Sequence, residues 1–223
     1  MKPEWAARLV PVCKGAAAVG LCVGYSVAAH FAAAAPAPGL LDAAVAIAPG
    51  LTLAFLLAWR SARRLMGLAL WGAGCLGLYS LSGWLVGHYH WVFLLQDAGL
   101  QVLLGLAFGR TLRPGQTPLV SQFAAALRGP LSPAVARYTR RATWAWTLFF
   151  AGMATLSLLL FWLAPIAVWS VFANLLGLPL VVLMFVAEYA VRRCVLPKAD
   201  RAGLWEAFAA YRQSSSGAVP RAR

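Results

Sequence analysis

Few residues of this chain have side chains that could carry acid–base chemistry, and they lie in or beside strongly apolar stretches. Glu188 stands near the end of one such stretch, where a carboxylate could act as a general acid or base with Tyr189 as a neighbouring donor. Tyr138 and Asn174 are the other candidate catalytic residues. The structural alternative pairs Glu188 with Arg192, four residues later, or with an arginine of the preceding basic segment, because charges within a membrane are usually paired.

Asn174 has a structural alternative of its own. Ser170 precedes it by one helical turn, on the same face of a predicted helix. Hydrogen bonds between helices would account for both side chains, at about 1 kcal/mol each. The acid–base candidates therefore divide between a reaction site and the ordinary pairing of polar groups inside a membrane.

A second polar group lies near the predicted outer ends of the helices. Its members are three histidines and two aspartates: His30, Asp42, His88, His90 and Asp97. Two histidines and a carboxylate can bind zinc or iron, and such side chains can also relay protons. Their spacing matches no known metal motif, so we expect neither a metal nor a cofactor. No lysine or arginine is expected on that side, so we expect Asp97 to be protonated or to pair with one of the three histidines.

A basic segment runs from Phe108 to Trp146, and its charges are all of one sign. It contains six arginines and no acid: Arg110, Arg113, Arg128, Arg137, Arg140 and Arg141. Such a surface attracts anionic partners by long-range electrostatics. Together with Arg192, these arginines are predicted to hold a phospholipid headgroup, an acyl carrier protein or a lipid-linked intermediate. Nucleic acid is not expected as a partner, because lipid better explains arginines and tryptophans at the level of a bilayer.

The composition is that of a polytopic membrane protein. Of 223 residues, 62% are hydrophobic and 11% are charged, and the mean hydropathy is +0.75. A soluble domain has roughly a quarter charged residues. A membrane-spanning helix needs about 20 apolar residues, and six stretches qualify: 12–33, 40–59, 65–86, 91–109, 142–163 and 166–190. They must be helical, because backbone polar groups find no other partners in lipid. The predicted fold class is therefore all-α, a bundle of about six transmembrane helices.

The distribution of basic residues predicts the orientation of this bundle. With six spans and both termini in the cytoplasm, all 19 lysines and arginines fall on the cytoplasmic side, as the positive-inside rule requires. Adding or removing one internal span would scatter them over both sides. Residues 1–197 would form a single transmembrane domain, and residues 198–223 a basic, partly disordered tail. A cleavable signal peptide is the alternative for the first span.

The basic cytoplasmic loop 110–141 contains its own helix signals. Pro118 predicts the first turn of a helix that the Gly-Pro pair at 129–130 would end. The Ser-Pro pair at 132–133 is typical of an N-cap and a first helical residue, and the following helix could run unbroken into the fifth span. A short helix that is apolar on one face and flanked by arginines suits the membrane interface. An ordinary basic loop that only fixes the topology is the alternative.

Small residues predict where helices pack. Three Gly-x-x-x-Gly pairs each place two glycines on one helix face, which lets backbones approach closely. The pairs are Gly20 and Gly24, Gly83 and Gly87, and Gly105 and Gly109. Pro49, which is followed by a glycine, is expected to kink or interrupt the second span.

Several motifs between residues 91 and 197 follow one another in the order found in an uncharacterised family of bacterial inner-membrane proteins. They are Phe108-Gly109-Arg110-Thr111-Leu112, Pro118-Leu119, Arg137-Tyr138-Thr139-Arg140-Arg141 with Thr143 and Trp146, Trp169-Ser170-x-Phe172-x-Asn174, and Met184-Phe185-x-x-Glu188-Tyr189-x-x-Arg192. The chain resembles this family, whose members are typically encoded among genes for aryl polyene (xanthomonadin-like) pigment synthesis. The resemblance implies a Gram-negative inner membrane and a pathway that builds aryl-capped conjugated acyl chains on carrier proteins. It implies no particular activity, because the family has none established.

These observations lead to one interpretation and two alternatives. We expect a non-enzymatic accessory component of the inner membrane that holds an anionic lipid, an acyl carrier protein or a polyene intermediate at its cytoplasmic arginine face. The first alternative is a membrane-embedded transferase or hydrolase that acts on an acyl or polyene chain. The second is a transporter or flippase for the polyene lipid, which would use Asp97 and the histidines. The oligomeric state is left open by the sequence.

Overall fold

Helices account for all of the regular secondary structure in residues 4–37 and 39–196. A computed structural model of the chain describes these residues, except for the side chains of residues 4–14 and Arg128. In chain order the helices are α1 (Glu4–Ala33), α2 (Leu40–Arg60), α3 (Arg64–Ser80), α4 (Ser82–Arg110), α5 (Leu119–Arg128), α6 (Pro133–Leu163), α7 (Ile166–Ser170), a π-helical segment (Val171–Leu176) and α8 (Gly177–Val195). The all-α prediction is confirmed for this part of the chain. The predicted tail, 198–223, lies outside the described residues.

Five helical stretches in the described residues are long and apolar enough to cross a membrane. They are Gly15–Ala33, Leu40–Arg60, Ser82–Arg110, Pro133–Leu163 and Ile166–Val195. The shortest has 19 residues, and about 20 are needed to cross the hydrocarbon core of a bilayer. The chain is therefore a multi-pass membrane protein.

The predicted span 65–86 does not correspond to one helix. α3 ends at Ser80, α4 begins at Ser82, and α4 continues through residues 87–90, where the hydropathy pattern predicts a connection. The Ser80 hydroxyl donates to two carbonyls of the preceding turn, at 3.0 and 2.9 Å, and such bonds compete with helical pairing. With 17 residues, α3 rises about 25 Å along its axis, which is shorter than the hydrocarbon core of about 30 Å.

The chain divides into two compact units. Of the described residues, 4–37, 39–99 and 155–178 belong to unit 1, and 100–154 and 179–196 belong to unit 2. The helices α4, α6 and α8 each contribute residues to both units.

In unit 1, α2 and α3 approach each other closely. A Cβ atom at Gly67 of α3 would lie only 3.1 Å from the Cα of Ala58 in α2, so glycine is what permits this distance. The Trp71 indole donates to the carbonyl of Leu51 at 3.0 Å, which joins the same two helices. This contact makes α2 and α3 a helical hairpin.

The proline in α2 does not interrupt the helix, which runs unbroken from Leu40 to Arg60. Pro49 removes the N–H that would bond the carbonyl of Val45. One residue further on, Gln96 of α4 donates to the carbonyl of Ala46 at 2.5 Å. A side chain from a neighbouring helix thus bonds the disturbed turn, as is common for prolines in membrane helices.

In unit 2, α4 and α6 pack at the third Gly-x-x-x-Gly pair. A Cβ atom at Gly105 would lie 3.6 Å from Phe150, and one at Gly109 would lie 3.3 Å from Thr147. The packing role predicted for this pair is confirmed. Added Cβ atoms at the glycines of the other two pairs would meet no atom within 4 Å in the described residues, apart from their own helix backbone.

The short helix α5 buries a hydroxyl group and exposes two of its four large apolar side chains. Ser121 is buried, with its hydroxyl 2.6 Å from that of Thr139 in α6. Phe123 and Leu127 are 61% and 49% exposed. A helix on the surface of a water-soluble protein usually shows the opposite pattern, with its apolar stripe against the core.

Two hydrogen bonds to threonine hydroxyls mark the start of α5, and a glycine marks its end. The N–H of Leu119 donates to the Thr111 hydroxyl at 2.9 Å, and the N–H of Val120 donates to the Thr143 hydroxyl at 3.3 Å. These bonds satisfy two donors that a helix start leaves unpaired. Gly129, with a φ of 78°, ends the helix in a conformation that favours glycine. The predicted helix before the Gly-Pro pair is confirmed.

The start of α6 also follows the prediction. Ser132 accepts a hydrogen bond from the N–H of Val135 at 3.3 Å, as an N-cap does, and Pro133 is the first helical residue. From there α6 runs without a break to Leu163. The prediction that this helix continues into the fifth apolar stretch is confirmed.

Candidate functional site

Three side chains join α6 to α8 within unit 2. The hydroxyl of Tyr138 lies 2.8 Å from the Glu188 carboxylate and 2.9 Å from the Glu188 backbone carbonyl. The Nη2 of Arg192 donates to the same carboxylate oxygen, Oε1, at 2.9 Å. The tyrosine has one proton to donate, so its two acceptors share it. The ion pair that the structural alternative predicted for Glu188 is therefore present.

This network is largely shielded from solvent. The side chains of Arg192 and Glu188 are 17% and 12% exposed, and Tyr138 is 6% exposed. The guanidinium carbon of Arg192 also lies 5.9 Å from the centre of the Tyr138 ring, within the range of a cation–π contact. Charge-assisted hydrogen bonds are stronger than neutral ones, so the arginine balances the charge of Glu188 and the tyrosine fixes its position.

The donor beside Glu188 is Tyr138, whereas the sequence suggests Tyr189. Tyr189 is 49% exposed, and its ring lies 5.9 Å from the guanidinium carbon of Arg193. Consecutive helical residues point about 100° apart, so adjacency in sequence does not place two side chains together. Tyr138 is 50 residues from Glu188 along the chain, and no local pattern connects them.

A groove between α6 and α8 lies beside the network, with a volume of about 460 Å³. We call it the α6–α8 groove. All of the residues that line it belong to unit 2. Small or flexible apolar side chains, such as Ala142, Ala145 and Met184, form most of its wall. The polar side chains in the wall are those of Arg137, Arg141, Tyr138 and Glu188. The groove thus combines an apolar surface with two arginines outside the Glu188–Arg192 ion pair.

Within residues 100–196, no free acid balances the positive charge at the groove. Glu188 is the only acid among residues 100–196, which contain eight arginines. It pairs with Arg192, so no acid in this range is left to neutralise Arg137 and Arg141. These two arginines lie four residues apart and therefore share one face of α6. Their side chains are exposed, so the groove can accept a negatively charged group from outside the chain.

Three of the seven arginines predicted to bind an anion lie at the groove or in the adjoining network. Arg140 instead donates to the carbonyl of Leu112 at 3.2 Å, which ties the turn after α4 to α6. Arg110 and Arg113 are exposed and do not line the groove. The side chain of Arg128 lies outside the described part of the chain.

Three of the five polar residues predicted near the outer helix ends contact residues close to them in sequence. Asp42 accepts the N–H of the residue before α2 at 2.8 Å. His88 bonds the carbonyl of Trp84 at 2.9 Å and stacks on its ring. The ring of His90 lies 3.9 Å from that of Tyr89. In the described residues, no three histidine, cysteine, aspartate or glutamate side chains come together as a metal site would require.

The remaining two members of that group each reach a buried serine. His30 Nδ1 lies 2.9 Å from the Ser170 hydroxyl. The Ser157 hydroxyl donates to the Asp97 carboxylate at 2.5 Å and accepts the indole N–H of Trp169 at 3.0 Å. Both serines and the tryptophan are wholly buried. Sequence reasoning missed the link from Asp97 through Ser157 to Trp169, because its members are far apart along the chain.

Asn174 completes the polar contacts of unit 1. Its amide donates to the carbonyl and the hydroxyl of Ser170, both at 3.2 Å, and the Ser170 hydroxyl lies 3.1 Å from the carbonyl of His30. The contact between helices is thus made by Ser170. Asn174 lies in the π-helical segment of unit 1, whereas Tyr138 and Glu188 belong to unit 2. The structure therefore brings together two of the three candidate catalytic residues.

Comparisons with known proteins supply no relative from which a function could be transferred. No family model, no curated protein and no solved structure matches this chain. The resemblance to the family of the aryl polyene clusters therefore rests on the sequence motifs alone. The α6–α8 groove and its charges are the features of this chain that bear most directly on its function.

Proposed function

We propose that this chain is an accessory, non-enzymatic protein of the bacterial inner membrane that holds an anionic, chain-bearing molecule in the α6–α8 groove. In this proposal six helices cross the membrane and both termini are cytoplasmic. The sixth is α3, whose 17 residues lie at the lower end of the range for a span of about 17–25 residues, so the bilayer would thin locally around it. The sequence motifs would place the bound molecule among the acyl or polyene intermediates of aryl polyene synthesis.

The chemistry of the groove carries this proposal. A lipid joins a negatively charged group to an apolar chain, and the groove offers a matching surface for each. Arg137 and Arg141 supply unbalanced positive charge, and alanines and Met184 supply the apolar wall. The volume of about 460 Å³ lies within the range of about 300–1,000 Å³ that is usual for small-molecule sites.

The contacts of Glu188 match a structural role. Arg192 and Tyr138 both donate to one oxygen of its carboxylate, Oε1, as expected for a charge that is paired within a membrane protein. The transferase or hydrolase alternative makes a different prediction. A Glu188→Gln variant that still folded and bound its ligand, but lost a measurable turnover, would support that alternative.

Two features support the proposed orientation. Six spans with both termini in the cytoplasm keep all 19 basic residues on one side. The helix α5, whose Phe123 and Leu127 are exposed, then lies at the cytoplasmic interface, where lipid can cover its apolar side.

Photo-crosslinking inside living cells tests the proposal directly. A photoreactive amino acid replaces Met184 in the groove or, as a control, Leu148, which lies on α6, is 64% exposed and does not line the groove. We expect the probe at Met184 to capture a distinct anionic amphiphile and the probe at Leu148 to capture bulk phospholipid. The proposal fails if both positions capture the same lipids in the same proportions.

Charge reversal provides the second arm of this experiment. Reversing Arg137 and Arg141 to glutamate should abolish the specific capture at Met184 and lower pigment output. Reversing Arg60 and Arg63, two exposed arginines outside the groove, is a control with the same change in charge. Equal effects of the two reversals, in correctly inserted protein, would contradict a role for the groove.

A further inference from the structure

We infer that the α6–α8 groove selects a single-chain lipid whose headgroup carries a phosphate, in preference to a fatty acid or a zwitterionic lipid. This inference rests on the proposed function, and it specifies the chemical class of the molecule that the groove takes. Three properties of the site support it: its net charge, the geometry of its donors and the size of its apolar part.

The net charge favours a group that carries more than one negative charge or several anionic oxygens. The ion pair between Arg192 and Glu188 is internally neutral. Arg137 and Arg141 therefore leave two positive charges at the groove that no acid of residues 100–196 balances. A fatty acid carboxylate brings one negative charge, whereas a phosphate monoester brings roughly −1.5 to −2 at pH 7. A phosphate monoester balances the site and a carboxylate does not.

The donor geometry points to the same class. Each guanidinium presents five N–H donors in a planar fork, which matches phosphate oxygens in pairs. Two such forks one helical turn apart can contact different oxygens of one phosphate, and a phosphate monoester offers three terminal oxygens where a carboxylate offers two. Arginine is enriched at phosphate sites for this reason.

The site disfavours a headgroup with an added positive charge. A choline or ethanolamine group would need an acid beside Arg137 and Arg141. Among residues 100–196 the one acid at the groove is Glu188, whose carboxylate is already bonded to Arg192 at 2.9 Å. A zwitterionic headgroup would therefore bring its cation close to unbalanced arginines, which costs free energy.

The size of the groove limits it to a single chain. The whole groove, with its arginine side included, has a volume of about 460 Å³, which is roughly fifteen times the 30 Å³ that one water molecule occupies in the liquid. The wall residues at 142, 145 and 187 are alanines, so space is left where larger side chains would fill it. A free phosphate ion or a sugar phosphate shares the headgroup chemistry but leaves this apolar surface exposed.

Native mass spectrometry of the purified full-length protein, titrated in detergent micelles, tests the inference. The probes are oleoyl lysophosphatidic acid, oleate, oleoyl lysophosphatidylcholine and inorganic phosphate. We expect lysophosphatidic acid to bind at least about tenfold more tightly than each of the others, because hydrogen bonds between charged groups contribute that much or more. Arg137→Gln combined with Arg141→Gln should remove this preference, and Arg60→Gln combined with Arg63→Gln should preserve it.

A second variant tests the apolar part. Met184→Trp should fill the groove and weaken the binding of lysophosphatidic acid at least about tenfold, because the lipid then buries less apolar surface. Thermal unfolding shows whether this variant is folded. If it does not fold, Ala145→Leu replaces it as a smaller change in the same wall.

The outcomes separate the inference from the proposed function. If oleate binds as tightly as lysophosphatidic acid and both compete with capture at Met184, the phosphate preference is wrong and the binding function stands. If inorganic phosphate binds as tightly as lysophosphatidic acid, the acyl chain of the lipid contributes nothing to binding, and the proposed class of lipid is wrong. If an acyl carrier protein competes with capture at Met184 and no lipid probe does, the partner is a protein. If no probe competes, the proposed function fails as well.

Discussion

A double-mutant cycle on Tyr138 and Glu188 measures how much the α6–α8 contact owes to their hydrogen bond. The changes are Tyr138→Phe, Glu188→Met and the two together. Methionine keeps the length of the glutamate side chain and removes its oxygen acceptors. Arg192 loses its partner in both variants that lack Glu188, so that cost cancels in the cycle and the coupling between Tyr138 and Glu188 remains.

The expected coupling follows from the geometry. The hydroxyl lies 2.8 Å from the carboxylate, and a hydrogen bond to a charged group contributes about 1.5–3 kcal/mol in water-soluble proteins. Two factors lower that value here. The hydroxyl keeps a second acceptor, the Glu188 backbone carbonyl at 2.9 Å, when the carboxylate is removed. Comparable cycles in a membrane protein average about 0.6 kcal/mol and reach about 1.7 kcal/mol. We therefore expect about 1 kcal/mol, or roughly a fivefold change in the unfolding equilibrium constant.

Reversible unfolding in mixed detergent micelles provides the assay, with the unfolded fraction followed by circular dichroism. Tyr189→Phe, alone and with Glu188→Met, is the matched control, because Tyr189 is 49% exposed. That pair should show coupling close to zero. A coupling between Tyr138 and Glu188 that equals the control value would refute the role assigned to this hydrogen bond.

Three further predictions concern the packing and the orientation of the chain. Gly67→Ala should lower the free energy of unfolding by about 1–3 kcal/mol, because the added Cβ would lie 3.1 Å from a backbone atom of α2. Gly74→Ala is the control and should have little effect, because its added Cβ would meet nothing within 4 Å. Equal losses of stability in micelles for the two variants would contradict this contact. In a cysteine-free background, an environment-sensitive dye on Phe123→Cys should emit as if in lipid, and the same dye on Gln116→Cys as if in water. The cysteine at position 116 should react with a membrane-impermeant reagent only from the cytoplasm, and labelling from the periplasm would overturn the proposed topology.

Features encoded by neighbouring residues could be predicted from the sequence. Gly129 ends α5, and Ser132 and Pro133 start α6, because the conformations and hydrogen bonds involved lie within one turn of the chain. The ion pair of Glu188 with Arg192 follows from a spacing of four residues on a helix. These contacts need no knowledge of the tertiary structure.

Features that depend on contacts between distant segments could not be predicted. Tyr138 and Glu188 meet across 50 residues of sequence, and nothing in either segment marks the other as its partner. Gly67 lies in no Gly-x-x-x-Gly pair, yet it makes the closest helix approach in unit 1 among the described glycines. The break after Ser80 was missed because hydropathy averages over about 20 residues, whereas the hydroxyl bonds that accompany it involve one side chain.

The exposed apolar side chains and the buried serine of α5 matter when this protein is engineered for solubility. A standard remedy for aggregation replaces exposed apolar residues with charged ones, and Phe123 and Leu127 would be the first choices. If Phe123 and Leu127 contact the bilayer, these substitutions would remove the apolar side chains that hold α5 at the membrane, and Ser121 would still face α6. A peptide of α5, excised and dissolved in water, would lose both the lipid beside its phenylalanine and the Thr139 partner of its serine, and its 10 residues are too few for a stable helix in water.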